Sequence, residues 1–600
     1  VKIKMKKNLI ALLVCFFFLF ACKTTVYAGD LEGPGSLTLT VTNCAATGVG
    51  SYPWAVTSIE ASSGYTYHTI NFNIPNTDSG YTTEEGVSWW RISLTSNPAT
   101  ITKNNVQIIG SSQATNPGDT NPNGPEIELL STGLNAGIGI TGSGAVIDRL
   151  AINGFETGIS ITGDTSTIIG CFVGLSPTGI TSIEGTETGI SITGNSSIIG
   201  TSTVESSGNR VVTTSTALNI IGNSNSIKGN YFGTDRTGTQ LLGSGSVVLD
   251  DSSSANIIGG TTNECNVIVG ADGHGLNLGG SLNQIIGNYI GIGVDASTAM
   301  PNSSFGIYFS GPNGTNNVIG PNNIIANNGM QGINIGGTGN KYNTITQNKI
   351  YNHPEANIFL HSEANESIDE PIISTYTYNA STQTASLTGS AEADATVEAY
   401  VSDNATTQEC STYLGMVLVD SSGDWSASFS MSSADPITAL QTDTSGNSSE
   451  LCYPAIQSST TTTTTIAPTT TQPGTTTTTT TTTSTNTSTT TSTSTTTISL
   501  LPNTIKTAVR YSSGGRTFNP TNNETVSIIY NLDNPSDAVI YVFDSNGRLL
   551  FQQVAQGVTG DNTVIFNGVS SFGSILPNGF YLYKIKTNSG LLSGSFTVLK

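Results

Sequence analysis

The chain has 600 residues, 41 acidic against 20 basic, a formal net charge of −21, and only 10% charged residues in all. That length exceeds one hydrophobic core and predicts several domains. The acidic balance repels phosphate backbones and anionic lipid and excludes nucleic acid as a partner, and four histidines with seven scattered cysteines, forming no C-x-x-C or Cys/His cluster, give no basis for a metal or a cofactor.

Residues 1–28 read as a removable leader. Lysines precede the apolar run Leu9–Ala21, which has the length of a signal-peptide core and is short for a membrane span. Val26-Tyr27-Ala28 fits cleavage before Gly29. Leu19-Phe20-Ala21-Cys22 resembles a bacterial lipobox with Cys22 acylated, although bulky Phe20 fits it poorly. Either route predicts a secreted or cell-surface protein with no transmembrane helix in its mature chain. Removing Lys2, Lys4, Lys6, Lys7 and Lys23, five of the 20 bases, leaves 15 against 41 acids, a net charge of −26.

Residues 29–365 predict a right-handed parallel β-helix with an N-terminal cap. Tyr52–Ile59, with Pro53 near its start, reads as a short amphipathic helix suited to covering the first coil. Thr69–Pro75, Trp90–Leu94 and Val106–Gly110 read as opening strands. From there one motif recurs: Cys171-Phe-Val, Asn209-Arg-Val, Asn230-Tyr-Phe, Asn266-Val-Ile, Asn288-Tyr-Ile, Asn323-Ile-Ile and Asn348-Lys-Ile, at gaps of 38, 21, 36, 22, 35 and 25 residues. Alternating long and short gaps mark a solenoid in which every second coil carries an insertion.

Two further short strands accompany each motif, Gly-Ile-x-Ile as in Gly189–Ile192 and x-Ile-Ile-Gly as in Asn256–Gly259. Three strands per turn predict a triangular coil with Ile and Val pointing inward at every second residue. Asn209, Asn230, Asn266, Asn288, Asn323 and Asn348 then read as a structural ladder of stacked amides. The insertions Leu175–Thr188, Thr234–Ser244 and Ile292–Phe305 predict a row along one edge at intervals of about 9–10 Å. Asp235 and Asp295 recur among them as candidate binding residues, with a ligand-free surface elaboration as the plain alternative.

Residues 38–365 resemble the bacterial right-handed β-helix proteins whose N-terminal motif reads C-S-L-R-E-A-I. Val41-Thr42-Asn43, Gly50-Ser51, Ala55-Val56 and Ile70-Asn71-Phe72-Asn73-Ile74-Pro75 carry the match, extended by Ile108–Gln113 and Gly229–Thr239. Tyr52, Pro53 and Trp54 stand where Leu, Arg and Glu or Gln are expected. The resemblance implies an exported or surface protein.

Catalysis on the solenoid needs paired carboxylates. Asp250-Asp251 followed by Gly273-His274-Gly275 resembles the Asp-Asp and Gly-His-Gly pair of polygalacturonases, which implies acid and base on either side of a glycosidic bond. Their expected partners, an Asn-Thr-Asp upstream and an Arg-x-Lys downstream, are missing. His274 also sits where Gly or Asn otherwise precedes the recurrent glycine, so chance placement is the alternative.

Residues 366–457 alternate polar and apolar at the spacing of an immunoglobulin-like sandwich, with Cys410 and Cys452 as candidates for a bridge and Asp443 with Asn447 as a turn or a calcium site. Residues 458–500 are nearly all threonine, a linker or stalk. Residues 501–600 predict a second sandwich. It resembles the immunoglobulin-like domain of flagellar hook-cap proteins, also found as a C-terminal sorting module, with Phe566-Asn567-Gly568 in place of Trp-Asp-Gly. The whole predicts an all-β chain, a right-handed parallel β-helix followed by two Ig-like β-sandwich domains. Its expected work is adhesion or binding of an extracellular glycan or surface partner, with attachment through the C-terminal domain or Cys22; the alternative is a polysaccharide hydrolase or lyase.

Overall fold

The computed structural model describes residues 35–457 and 507–600, apart from 116–117, 202–207, 262–263, 512–517, 523, 533–534, 544–548, 570–574 and 588–589. The leader at 1–28 with Cys22, and the threonine-rich stretch at 458–500, lie outside the described residues.

The first unit is a parallel β-helix closed by a β-sandwich. Its first face is a sheet of 11 parallel strands running from Ser36–Val41 to Thr344–Ile345. The second face begins at Val87–Ser93 and ends at Lys349–Tyr351; the third ends at Ile358–Leu360. Ile127–Ile140 and Leu150–Ile161 turn the corner between the second and third faces as continuous strands. Parallel register sets like on like. On the first face Ile70, Ile108, Ile147, Ile168, Ile199, Ile227, Ile258, Ile285, Ile319 and Ile345 pair in succession and are buried. β-Branched isoleucine holds one rotamer and stacks on itself without adjustment. Each such residue contributes roughly 2–3 kcal/mol of burial, which no coil gains alone.

Both ends of this core are covered. At the start, helix α1 (Tyr52–Ala61) is capped by the Ser51 hydroxyl, which accepts from the Trp54 N–H at 3.3 Å. Its buried side, Tyr52, Ala55, Val56 and Ile59, joins the cluster that holds Val41 and Ile70. At the far end the strand rhythm breaks at 363–367, where Glu363, Asn365, Glu366 and Ser367 all take positive φ. The cover there is the sandwich. Its sheets are Ile372–Asn379, Thr384–Ser390, Asp424–Ser430 and Thr412–Leu418, Thr396–Val401, Ile437–Thr442. Tyr400, Cys410, Leu440 and Leu451 belong to the solenoid's own core, and Cys410 exchanges backbone hydrogen bonds with Ile350 at 2.8 and 2.9 Å.

That seam separates two cysteines the sequence sets near each other. Cys410 faces the solenoid end, whereas Cys452 lies in the sandwich core and accepts from the Ala439 N–H at 3.3 Å; both thiols are free. Asp443 accepts from the Ser445 and Asn447 N–H groups at 2.8 Å each, a turn built from its own loop.

Three amide ladders run along the solenoid. In the first, the Cys171 N–H donates to Asn209 Oδ1 at 2.9 Å, and the pattern continues through Asn230, Asn266, Asn288, Asn323 and Asn348. A second heads the first-face strands through Asn225, Asn256, Asn283, Asn317, Asn343 and Asn365. A third, shorter one joins Asn302 and Asn328 to His353.

His353 makes the last ladder sensitive to pH. Its Nδ1–H donates to Asn357 Oδ1 at 2.6 Å, so Nε2 is the acceptor for the Asn328 amide at 3.1 Å. Burial pushes its pKa down to about 4. An unfolded chain protonates this ring near 6.5. The neutral form's stabilisation is therefore complete above pH 6.5 and is lost as pH falls toward 4, by up to about 3 kcal/mol. Urea midpoints at pH 7.5 and 4.5 should converge for His353→Gln relative to the parent; equal pH sensitivity in both would refute the assignment.

The second unit is a separate sandwich. Thr507–Tyr511, Val526–Leu532 and Gly560–Phe566 form one sheet, and Leu549–Gly557, Ser536–Phe543, Gly579–Thr587 and Gly590–Val598 the other. Phe518, Phe566 and Phe596 meet in its core. Gly568 takes φ +73° against Pro520 and Phe518, where a Cβ would lie 2.6 Å from Pro520 Cβ.

Candidate binding face

The insertions form one rib. Leu175 bridges Ser182, Thr234 bridges Leu241 and Ile292 bridges Ala299, each closing a hairpin of the same length. Each hairpin turns at a residue of positive φ, Gly179, Gly238 or Ala296. The Arg236 N–H donates to Gly179 O at 2.8 Å, and the Val294 N–H to Gly238 O at 3.1 Å. Hydrogen bonds thus join successive tips, although the loops are rooted two coils apart. The loops lean across the coil between them, because its outward side chains give them something to bury.

Arg210 and Val267 are those side chains, 7% and 0% exposed. The Arg210 guanidinium lies 3.8 Å from the Tyr231 ring centre, and its Nε donates to Arg236 O at 3.1 Å. Val267, Val269 and Met300 form a small outer core with Tyr231, Tyr289 and Val294. The rib thus packs on the second face.

Its two aspartates do not occupy equivalent positions. Asp235 opens its turn, is 4% exposed, and accepts from Thr237 Oγ1 at 2.7 Å and the Gln240 N–H at 3.1 Å. Asp295 comes later in its loop and accepts from the Ser297 and Thr298 N–H groups at 3.0 and 2.9 Å and from both hydroxyls. Those donors hold its carboxyl well below the usual range. Both carboxylates serve their own loops.

The acid–base constellation is not assembled. Val247 pairs with Leu276 and Leu249 with Leu278, so His274 precedes the shared strand and Asp250 follows it. Five residues of extended chain, about 15 Å, separate their levels on the face. Asp250 is exposed and accepts from Ser252 N–H and Oγ at 2.9 and 2.6 Å, bonds that lower its pKa. A general acid needs the opposite shift. Asp251 lies over Gly279 and Gly311, where an added Cβ at either would crowd its Oδ1.

His274 belongs to a different group. Its ring stacks on Phe305 at 4.8 Å between centres and 3° between planes, and lies 4.4 Å from Tyr308. Phe305 and Tyr308 are 5.3 Å apart, and all three rings are partly exposed. Burial lowers the His274 pKa, so the ring is neutral at pH 7. Tyr308 stands in register between Asn277 and Asn334. Asn334 Nδ2 donates to Gln331 Oε1 at 3.2 Å, and Gln331 donates to Glu355. Asn334 Oδ1 and His274 Nδ1 have no hydrogen-bond partner. A groove of about 500 Å³ lined by Thr213, Thr214, Leu241, Leu242, Ser244 and Asp272 lies beside this group, Asp272 being two residues from His274. The sequence carries one signal of it: Tyr308 and Phe359 are aromatic in a column that elsewhere holds Gly139, Ser160, Ser191, Asn219, Val248, Asn277 and Asn334.

Among the described residues there is no cluster of three or more His, Cys, Asp or Glu side chains placed to hold a metal ion, and no helix long and apolar enough to cross a membrane. No protein-family model and no curated protein sequence matches the chain. Among solved structures it is similar to a biofilm associated protein, BSP domain, at 11% identity and a TM-score of 0.12, over 38% of this chain and 29% of that one. It is also similar to dimeric latent PorU from Porphyromonas gingivalis, at 14% identity and a TM-score of 0.13, over 40% of this chain and 22% of that one. The chain spans less than a third of the length of either, and likenesses of that extent carry no argument about function.

Proposed function

We propose that this is an exported bacterial surface protein whose β-helix makes adhesive contact with extracellular glycan. In this reading the threonine-rich stretch is a stalk and the C-terminal sandwich an attachment module, as its resemblance to sorting domains implies. The observation that carries the reading is the third face. A rigid stack of coils presents three mutually packed, partly exposed aromatic rings edged by amides, the mixture of apolar platform and fixed polar groups that sugars require. Asp250 and His274, set about 15 Å apart along that face, do not favour hydrolysis.

The test is retention of the full mature chain on immobilised polysaccharides and on a glycan array, beside an assay for reducing ends. Saturable retention without release of reducing ends is expected. Release of oligosaccharide, abolished by Asp250→Asn, would replace adhesion with hydrolysis. Absence of retention on every glycan would end the adhesive reading.

A further inference from the structure

We infer that the column Asn277–Tyr308–Asn334–Phe359, flanked by His274 and Phe305, is a binding track for an extended, uncharged polysaccharide lying along the solenoid axis. This rests on the glycan-binding reading above and assigns it a place, a direction and a ligand class.

The direction comes from the register. Asn277 pairs with Tyr308, Tyr308 with Asn334 and Asn334 with Phe359, so one outward side chain appears per coil. Coils repeat at about 4.8 Å, close to the length of one pyranose in an extended chain. Amide and aromatic alternate along the column. A linear polymer with one sugar per coil therefore meets the Asn277 amide, the Tyr308 ring and, two coils further on, the Phe359 ring. The C–H faces of the sugar lie on Tyr308 and Phe359, while its hydroxyls reach Asn277; Asn334, 2% exposed, lies beneath the track. His274 and Phe305 stack on each other within 3° of parallel and brace Tyr308 from the side.

The ligand class comes from charge. Acidic side chains adjoin the track: Asp272 lines the adjacent groove, Glu355 is bonded to Gln331, and Glu450 accepts from the Leu360 N–H. The 41 acids and 20 bases of the chain oppose a polyuronate or sulfated polymer at long range as well. Hydroxyl-rich neutral glycan carries no such cost.

Affinity electrophoresis of the full chain in gels containing hydroxyethylcellulose, xyloglucan or galactomannan, with polygalacturonate and alginate alongside, tests the track. At least one neutral polymer should retard the parent. Tyr308→Ala should weaken that retardation by about tenfold, the loss of one stacking contact. Tyr308→Phe should keep most of it, and Ser191→Ala, on the same face but upstream, all of it. Phe305→Ala repeats the test should Tyr308→Ala fail to fold, as judged by its melting temperature. Neutral-polymer binding unchanged in both alanine variants would overturn the track while leaving surface adhesion standing. Retardation by the polyuronates alone would overturn the ligand class. Retardation by none of the five polymers would overturn the inference, and adhesion would then depend on the array.

Discussion

Asn288→Ala should destabilise the solenoid by about 3–5 kcal/mol, far more than a surface amide is worth. Asn288 Oδ1 accepts from the Asn266 backbone N–H at 3.3 Å and from Asn266 Nδ2 at 2.9 Å. Its own Nδ2 donates to Ile258 O at 2.8 Å and to Asn323 Oδ1 at 3.0 Å. The residue is fully buried, so no water replaces these partners. Truncation removes the acceptor of two Asn266 N–H groups and weakens two carbonyls, at roughly 1–3 kcal/mol for each unmet group, and leaves a small void. Asn223 is the natural comparison. It stacks on Asn195 in the opposite sense, donating its N–H and Nδ2 to Asn195 Oδ1 at 2.8 and 3.2 Å, but in solvent. Asn223→Ala should cost about 0.5 kcal/mol or less. Urea unfolding of both variants decides the matter; equal losses would mean that the buried ladder contributes no more than an exposed one.

Glu398→Ala should uncouple the sandwich from the solenoid and cost about 3–5 kcal/mol. Glu398 is 5% exposed and lies at the seam. Its carboxylate accepts from the Gln347 N–H at 2.9 Å and from the Thr346 and Tyr400 hydroxyls. Alanine abandons all three donors beside the open end of the core, where Ile345 and Ile350 would meet water. Glu398→Gln retains an acceptor and should cost less than half as much. Tryptophan fluorescence resolves the event, since Trp54, Trp89 and Trp90 lie in the opening coils and Trp425 in the sandwich core. In Glu398→Ala the Trp425 signal should melt first. A single coincident transition at the parent's midpoint would refute the seam's importance.

Features that repeat at fixed spacing were legible in the sequence. Inward isoleucines, the asparagine opening each second-face strand and the three insertions all recur, and parallel stacking turns recurrence directly into contact. The second ladder shows the limit of that method. Asn256, Asn283, Asn317 and Asn343 also recur, each just before or at a first-face strand, yet they sit among Ser and Thr and their spacing wanders. Only the shared hydrogen-bond direction singles them out. Contacts made once were not legible. His274 and Asp250 share a face, but a strand of four residues keeps them at opposite ends. His274 instead meets Phe305 and Tyr308, which follow it by 31 and 34 positions on the next coil. The sandwich as an end cap, and with it the separation of Cys410 from Cys452, depends on tertiary docking for which no local pattern exists.

The ladders also have a polarity. In the two long buried ladders the backbone N–H of one coil donates to the amide oxygen of the next, whereas the exposed Asn223 donates back to Asn195. A polypeptide emerging N-terminus first therefore builds a one-way template. Every finished coil offers donors whose acceptors have not yet been synthesised, and each new coil satisfies the last while opening the same demand again. The series ends only when Asn343 donates to Asn365, Asn365 donates to Ser448 O, and the Ile345 N–H meets Ser448 Oγ, 103 positions along the chain. Until that segment arrives the growing edge is chemically identical to an interior one and accepts any complementary coil, including one from another molecule. Premature termination between 345 and 448 should therefore yield end-to-end polymers rather than shortened monomers.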